Sequence, residues 1–277
     1  MSNASSASEW FDAVLAHPRD TLIGLDFDGT LAPIVDDPAH AYADPDAVAA
    51  LGRLGSLLGT VAVITGRPAR TAVELGGFRG QPGLEHMVVL GQYGVERWDA
   101  VTDAFVIPPD PGQIAALEDE LPEVLVDLDL GEARVEHKGR ALVVHTRPLD
   151  DPDAAFAKLT EPINALAERH GMLVEPGKNV LEIRSYGVDK GVALQKILDE
   201  TGARQVIFAG DDLGDLPAYR LVAQLRRDGM AGLLVCSASH EEDALSELAD
   251  VVVAGPAGVA AWLTDLADQL EARRTAP

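Results

Sequence analysis

Two short apolar runs each end in aspartates: "LIGLDFD", from Leu22 to Asp28, and "VIFAGDD", from Val206 to Asp212. Apolar runs of this length without polar alternation fit strands buried on both faces, as in a parallel sheet. Amphipathic segments separate such runs. "PDAVAALGRLGSLLG" has apolar residues at helical spacing and a stop at Gly59. "PARTAVELG" opens with Pro68, which suits a first helical turn. "TVAVITG" and "MVVLG" are the strands on either side of it. The alternation returns near the C-terminal third. There "GVALQKILDETG" is a helix, "QVIFAGDD", "AGLLVCS" and "DVVVAG" are strands, and helices lie between and after them. Strands alternating with helices predict βαβ units, so the fold class expected is α/β with a Rossmann-like, mainly parallel sheet.

The middle of the chain breaks this rhythm. "VIPPDPG", from Val106 to Gly112, clusters prolines with a glycine, as linkers do. "GQIAALEDELPEVLVDL" then reads as a helix, and "ARVEHKG" and "RALVVHTR" as strands joined around Lys138–Gly139. "DDPDAAFAKLTEPINALAERHG" is a long helix that Pro162 is expected to disturb. "MLVEPGKNVLEIRS" reads as a second hairpin turning at Gly177. This order describes a small α+β module with an antiparallel sheet. Residues 1–107 and 187–277 are thus expected to form one α/β core, with residues 108–186 as an insertion.

Charge limits the partners. The 277 residues include 45 acidic and 22 basic side chains, for a formal net charge of −23. A surface that negative repels nucleic acid and anionic lipid. It also repels an anionic substrate, so a site for one needs local positive charge, including a bound cation. No apolar stretch is long enough to span a bilayer. "MSNASSASEWF" lacks the basic and apolar regions of a signal peptide. The lone Cys236 sits in "GLLVCSA" and reads as a core residue. The expectation is a cytoplasmic monomer with a small-molecule substrate and no nucleic-acid or membrane partner.

In open parallel sheets, ligands bind beyond the carboxyl ends of the strands. That rule brings Asp26, Asp28, Asp211 and Asp212 to one edge. Carboxylates converging there resist ionisation unless a cation sits among them, and all-oxygen ligands favour a hard cation such as Mg²⁺. "VITGR" ends at the same edge with Thr65 and Arg67, and Lys190 opens the helix that follows the insertion. A hydroxyl and an ammonium suit phosphate oxygens. Gly29 permits a tight turn after Asp28, and its N–H is expected to help cradle an anion. Each piece alone has an ordinary reading: a turn, a helix cap, a solvated lysine. Their order, D-x-D-G-T, then T-G-R, then K, then G-D-D-x-x-D, is what points to a phosphate and metal site. The chain has no G-x-x-x-x-G-K-[ST], which argues against a P-loop kinase or NTPase.

That order resembles the haloacid dehalogenase superfamily of phosphatases, whose four motifs are matched by "DFDGTL", "VITGR", "DKG" and "GDDLGD". A closer resemblance is to the trehalose-6-phosphate phosphatase family. It is carried by "DFDGTLAPIVDDPAHAYADP", "GQYGVE", "VEHKGRALVVHTR" and "PGKNVLEIR". The resemblance implies a haloacid dehalogenase-like core and makes the insertion an α+β cap domain, with hinges near Pro108–Pro111 and Tyr186–Val188. It implies Asp26 as nucleophile, Asp28 as acid and base, and Thr65 and Lys190 as catalytic phosphate ligands. It implies Mg²⁺ held by Asp26, Asp28 and Asp211, with Asp212 and Asp215 holding its waters or orienting Lys190. Gly29 and Arg67 are expected at the substrate, as are Glu136, Lys138, His145, Arg147, Lys178 and Glu182 on the cap hairpins. Strand alternation puts Glu136 with Lys138, and His145 with Arg147, on common faces; a merely wetted outer face has the same pattern. The chain departs from the family at Gly214 and Leu216, where a threonine and a glutamate are usual, and at Gln92, where asparagine is common. Two alternatives are a phosphatase for another sugar phosphate, such as sucrose phosphate or mannosylglycerate phosphate, and a non-catalytic sugar-phosphate sensor.

Overall fold

The computed structural model describes residues 3–109, 112–137, 140–185, 189–238 and 245–275. The chain begins with helix α1 (Asn3–Ala16), then β1 (Thr21–Leu25), α2 (Pro45–Gly55), β2 (Thr60–Ile64), α3 (Ala69–Gly76) and β3 (Val88–Gly91). Two short strands follow, β4 (Glu96–Asp99) and β5 (Ala104–Val106). Next come α4 (Gln113–Asp127), β6 (Arg134–His137), β7 (Ala141–His145), α5 (Pro152–Arg169), β8 (Met172–Gly177) and β9 (Val180–Ser185). The last elements are α6 (Lys190–Thr201), β10 (Gln205–Gly210), α7 (Leu216–Arg227), β11 (Ala231–Ala238), β12 (Val251–Ala254) and α8 (Gly255–Thr275).

Two compact units result: Met1–Ile107 with Asp189–Pro277, and Pro108–Val188. The first holds an eight-stranded sheet in the order β12-β11-β10-β1-β2-β3-β4-β5. Its strands from β12 to β3 are parallel, and β4 and β5 add an antiparallel edge. All five residues of β1 are buried, because both faces are covered. Ile23 and Leu25 pack with residues of α1, α2 and α8 on one face, while Leu22 packs with residues of α6 and α7 on the other. Double burial is why the central strands read as unbroken apolar runs.

The second unit is a four-stranded antiparallel sheet, β6-β7-β9-β8. One face carries Leu142, Val144, Leu181 and Ile183, packed on α4 and α5 through Leu117, Leu121, Leu159 and Ile163. Helix α5 continues through Pro162. The second hairpin turns at Lys178–Asn179 rather than at Gly177, with Asn179 taking the left-handed conformation (φ +57°). The expected turn at Lys138–Gly139, and Asp110, Pro111 and Tyr186–Val188 of the expected hinges, lie outside the described residues. Among the described residues no helix is long and apolar enough to cross a membrane. Cys236 is buried, as expected of a small core residue.

Candidate active site

β1 and β10 pair in register, Leu25 beside Ala209, so the residues that follow them emerge together. Asp26 and Asp211 are both buried there, and the Asp26 N–H donates to the Ala209 carbonyl at 2.9 Å. The carboxylates of Asp26, Asp211, Asp212 and Asp215 converge, each offering an oxygen within 4.8 Å of the others. Lys190, at the start of α6 and also buried, places Nζ 2.8 Å from Asp26 Oδ1 and 2.7 Å from Asp215 Oδ1. Asp189 caps α6, its side chain accepting the Val192 N–H at 2.8 Å. That cap fixes the helix start from which Lys190 projects.

The fourth motif explains itself locally. Asp215 Oδ2 accepts the N–H groups of Asp211 (2.9 Å) and Asp212 (3.2 Å), and Asp212 Oδ1 accepts the Gly214 N–H at 2.9 Å. This is a reciprocal capping box ahead of α7. Gly214, one of the departures from the family pattern, uses its backbone N–H to orient Asp212, and a Cβ there would stand 3.0 Å from Asp212 Oδ1. Leu216 opens α7 and packs against the core.

One ammonium faces four carboxylates. Burial drives Asp26 well above the ordinary carboxylate range; Lys190 pulls it down, and Asp215 and Asp212 push it up. Asp211 is pushed up to about 11, by burial first and then by Asp26, Asp212 and Asp215. Burial opposes the charge of Lys190, but Asp215, Asp26 and Asp212 together hold it above its usual value. An all-oxygen cluster with too little positive charge is the donor set a hard divalent cation satisfies. Asp26, Asp211, Asp212 and Asp215 would hold Mg²⁺.

The sign of the pH dependence follows. Asp211 keeps a proton in the metal-free fold that the unfolded chain, with an ordinary carboxylate near about 3.9, releases. Its stabilising contribution is complete below the unfolded value and is lost as pH rises toward the folded one. Metal-free protein is expected to melt at progressively lower temperature between about pH 6 and pH 9, with saturating Mg²⁺ flattening the slope and releasing protons. Melting curves with EDTA or Mg²⁺ across that range check this; stability that rises with pH in EDTA would contradict it.

Gly29 takes φ +73°, and a Cβ on it would meet Asp211 Oδ2 at 1.9 Å. Its N–H donates to the Ala32 carbonyl at 2.7 Å and its carbonyl accepts Ser237 Oγ at 2.6 Å. The amide expected to cradle an anion is therefore used inside the turn. The role of this glycine is to leave room for Asp211. Gly29→Ala is expected to displace Asp211, costing activity about 10²-fold or more and weakening Mg²⁺ binding in calorimetry, because angstrom-scale misplacement is that damaging. A fully active variant would contradict it.

Thr65 is buried at the end of β2, its Oγ1 accepting the Arg67 N–H at 3.1 Å. Arg67 lies on Asp28, with Nε 2.7 Å from Oδ2 and Nη2 2.6 Å from Oδ1. The Tyr93 N–H donates to the Thr65 carbonyl (2.9 Å) and the Gln92 N–H to the Arg67 carbonyl (2.8 Å), with both residues in the left-handed region. Buried Glu96 accepts the Ala69 N–H at 2.7 Å, at the start of α3. "GQYGVE" is thus the clasp around the Thr65–Arg67 turn. The sequence did not reveal Ser237, Thr30 (Oγ1 3.4 Å from Asp211 Oδ1) or Glu96 as site supports. Ser237 carried a usable signal, a hydroxyl near the end of a buried strand.

In the second unit, register aligns Glu136, Val143, Glu182 and Glu175 across one face of the sheet, opposite the helices. His145 Nε2 lies 2.9 Å from Glu136 Oε2, and Arg184 binds Glu175 Oε2 through Nε and Nη2 at 2.9 and 2.5 Å. Arg147 Nε donates to the carbonyl of Lys178, at the hairpin turn, at 3.1 Å. Lys138 lies outside the described residues.

Against known proteins, residues 24–251 match the profile of the family described as trehalose-phosphatase. The chain belongs to the trehalose-phosphatase family. A trehalose-phosphate phosphatase of Mycobacterium avium is 30% identical over 267 residues, 91% of this chain and 63% of that protein. The chain spans 63% to 67% of the length of the first plant and mycobacterial relatives it matches. By structure, it is similar to the C-terminal domain of a C. albicans trehalose-6-phosphate phosphatase, with TM-score 0.75 and 19% identity over 95% of this chain and 96% of that one. A haloacid dehalogenase-like hydrolase from Bacteroides thetaiotaomicron gives TM-score 0.61 and 17% identity over 89% and 99%. These structures share the family's fold, an α/β core of haloacid dehalogenase type.

Proposed function

We propose that this member of the family is a Mg²⁺-dependent phosphatase that hydrolyses trehalose 6-phosphate to trehalose and phosphate. The observation that carries the reading is Asp26, buried at a strand end, bridged to Lys190 at 2.8 Å and set among three further carboxylates. A carboxylate fixed this way is suited to nucleophilic attack. Asp26 forms a bond to phosphorus as the bond from phosphorus to the sugar oxygen breaks, leaving an aspartyl-phosphate. Asp28 gives its proton to the departing sugar oxygen. It then takes a proton from the water that attacks the aspartyl-phosphate, and phosphate leaves with the Asp26 carboxylate restored. Lys190 and Thr65 hold phosphate oxygens in line with Asp26. Mg²⁺, when bound, offsets the charge on the transferring phosphoryl group.

The inserted unit serves as the cap that reads the sugar, through Glu136, Lys138, His145, Arg147, Lys178 and Glu182. A polar sheet face bearing Glu136, His145 and Glu182 supports that role, since sugar hydroxyls are recognised by such donors and acceptors. Phosphate release from trehalose 6-phosphate beside glucose 6-phosphate and sucrose 6-phosphate, with Mg²⁺ and with EDTA, tests the proposal. Preferred, metal-dependent hydrolysis of trehalose 6-phosphate is expected. Stronger turnover of another sugar phosphate would overturn the substrate, and binding without release would favour the sensor.

A further inference from the structure

The geometry points to Arg67 as the residue that positions Asp28 for proton transfer, rather than as a contact to the substrate; this rests on the phosphatase reading above. Nε and Nη2 of Arg67 grip the two oxygens of Asp28 at 2.7 and 2.6 Å. Such a fork fixes the plane of a carboxylate as well as its place. The guanidinium is itself anchored. Nη1 donates to the Pro38 carbonyl at 2.8 Å, and Cζ lies 5.6 Å from the centroid of the Phe27 ring. All three guanidinium nitrogens already donate to oxygens of the protein. The main chain is tied at both ends, N–H to Thr65 Oγ1 and carbonyl to the Gln92 N–H. Asp28 has the more exposed side chain, 38% against 14% for Arg67. The arginine is thus a fixed cradle, and the carboxylate it orients is the partner that stays open to an approaching leaving oxygen.

A lysine at position 67 keeps the charge and loses the fork. The test uses Arg67→Lys and Arg67→Gln with two substrates: trehalose 6-phosphate, whose alkoxide leaves only with a proton, and p-nitrophenyl phosphate, whose phenolate leaves without one. The ratio of kcat on the sugar phosphate to kcat on the aryl phosphate is expected to fall about 10²-fold in both variants, with KM for the sugar phosphate little changed. In an Asp28→Asn background the same substitutions are expected to add no further loss on the sugar phosphate. An equal rise in KM for both substrates would overturn the proposal in favour of a phosphate contact. An unchanged kcat ratio, or full additivity with Asp28→Asn, would overturn it in favour of a structural role. Wild-type protein that releases phosphate from neither substrate would instead overturn the phosphatase reading on which the proposal stands.

Discussion

Replacing Asp26 with asparagine is expected to abolish phosphate release, by on the order of 10⁴-fold or more, while leaving the protein folded. Asparagine keeps the shape of the side chain and an oxygen for Lys190, but an amide oxygen does not displace an alkoxide from phosphorus. The same change removes one of the carboxylates crowded around Asp211. Metal-free Asp26→Asn is therefore expected to melt no lower than wild type, and it should lose most of the stabilisation that Mg²⁺ confers. Steady-state phosphate release and melting curves with and without Mg²⁺ read both effects. Activity within about tenfold of wild type would remove Asp26 from the reaction.

Lys190→Met is expected to cost both activity and stability. Lys190 bridges Asp26 and Asp215 from a side chain only 5% exposed. Without it, two buried carboxylates lose their cationic partner, and breaking a buried pair by removing one member costs about 3–5 kcal/mol. For a chain of this size that lowers the melting temperature by roughly 10 °C. Adding Asp215→Asn to Lys190→Met should recover part of the loss, because one of the uncompensated charges is then gone. Thermal denaturation of the single and double variants in EDTA checks this. A single variant as stable as wild type would mean that the ammonium is not the counter-charge of the cluster.

The cluster of carboxylates was legible because parallel strands buried on both faces must be apolar until they end. The abrupt change in "LIGLDFD" and "VIFAGDD" therefore marks the sheet edge where the four carboxylates meet. The middle stretch was legible through its change of period from α/β alternation to hairpins. The antiparallel edge was not, because β4 is "ERWD" and β5 is "AFV", each too short for a pattern to stand out. Helix α1 was missed because "NASSASEWFDAVLA" starts with serines and alanines, and its apolar residues Trp10, Phe11, Val14 and Leu15 are confined to its second half. The partner of Arg67 was beyond reach too. Spacing brings Arg67 to the edge where Asp28 sits, but only the packing of Phe27 and the Pro38 carbonyl turns its guanidinium onto the carboxylate. The polar residues of the first hairpin could be aligned by alternation. Which of them pair, as His145 does with Glu136, depends on register across β6 and β7, and that no single strand encodes.

The most direct measurement is a covalent trap. Protein turning over trehalose 6-phosphate with Mg²⁺ is quenched in acid within one turnover and digested, and the phosphorylated peptide is identified by mass spectrometry. A phosphoryl group on the side chain of Asp26, absent in Asp26→Asn, is the expected result. Turnover with the phosphoryl group on a different residue, or with none on the protein at any quench time, would contradict the nucleophilic role of Asp26.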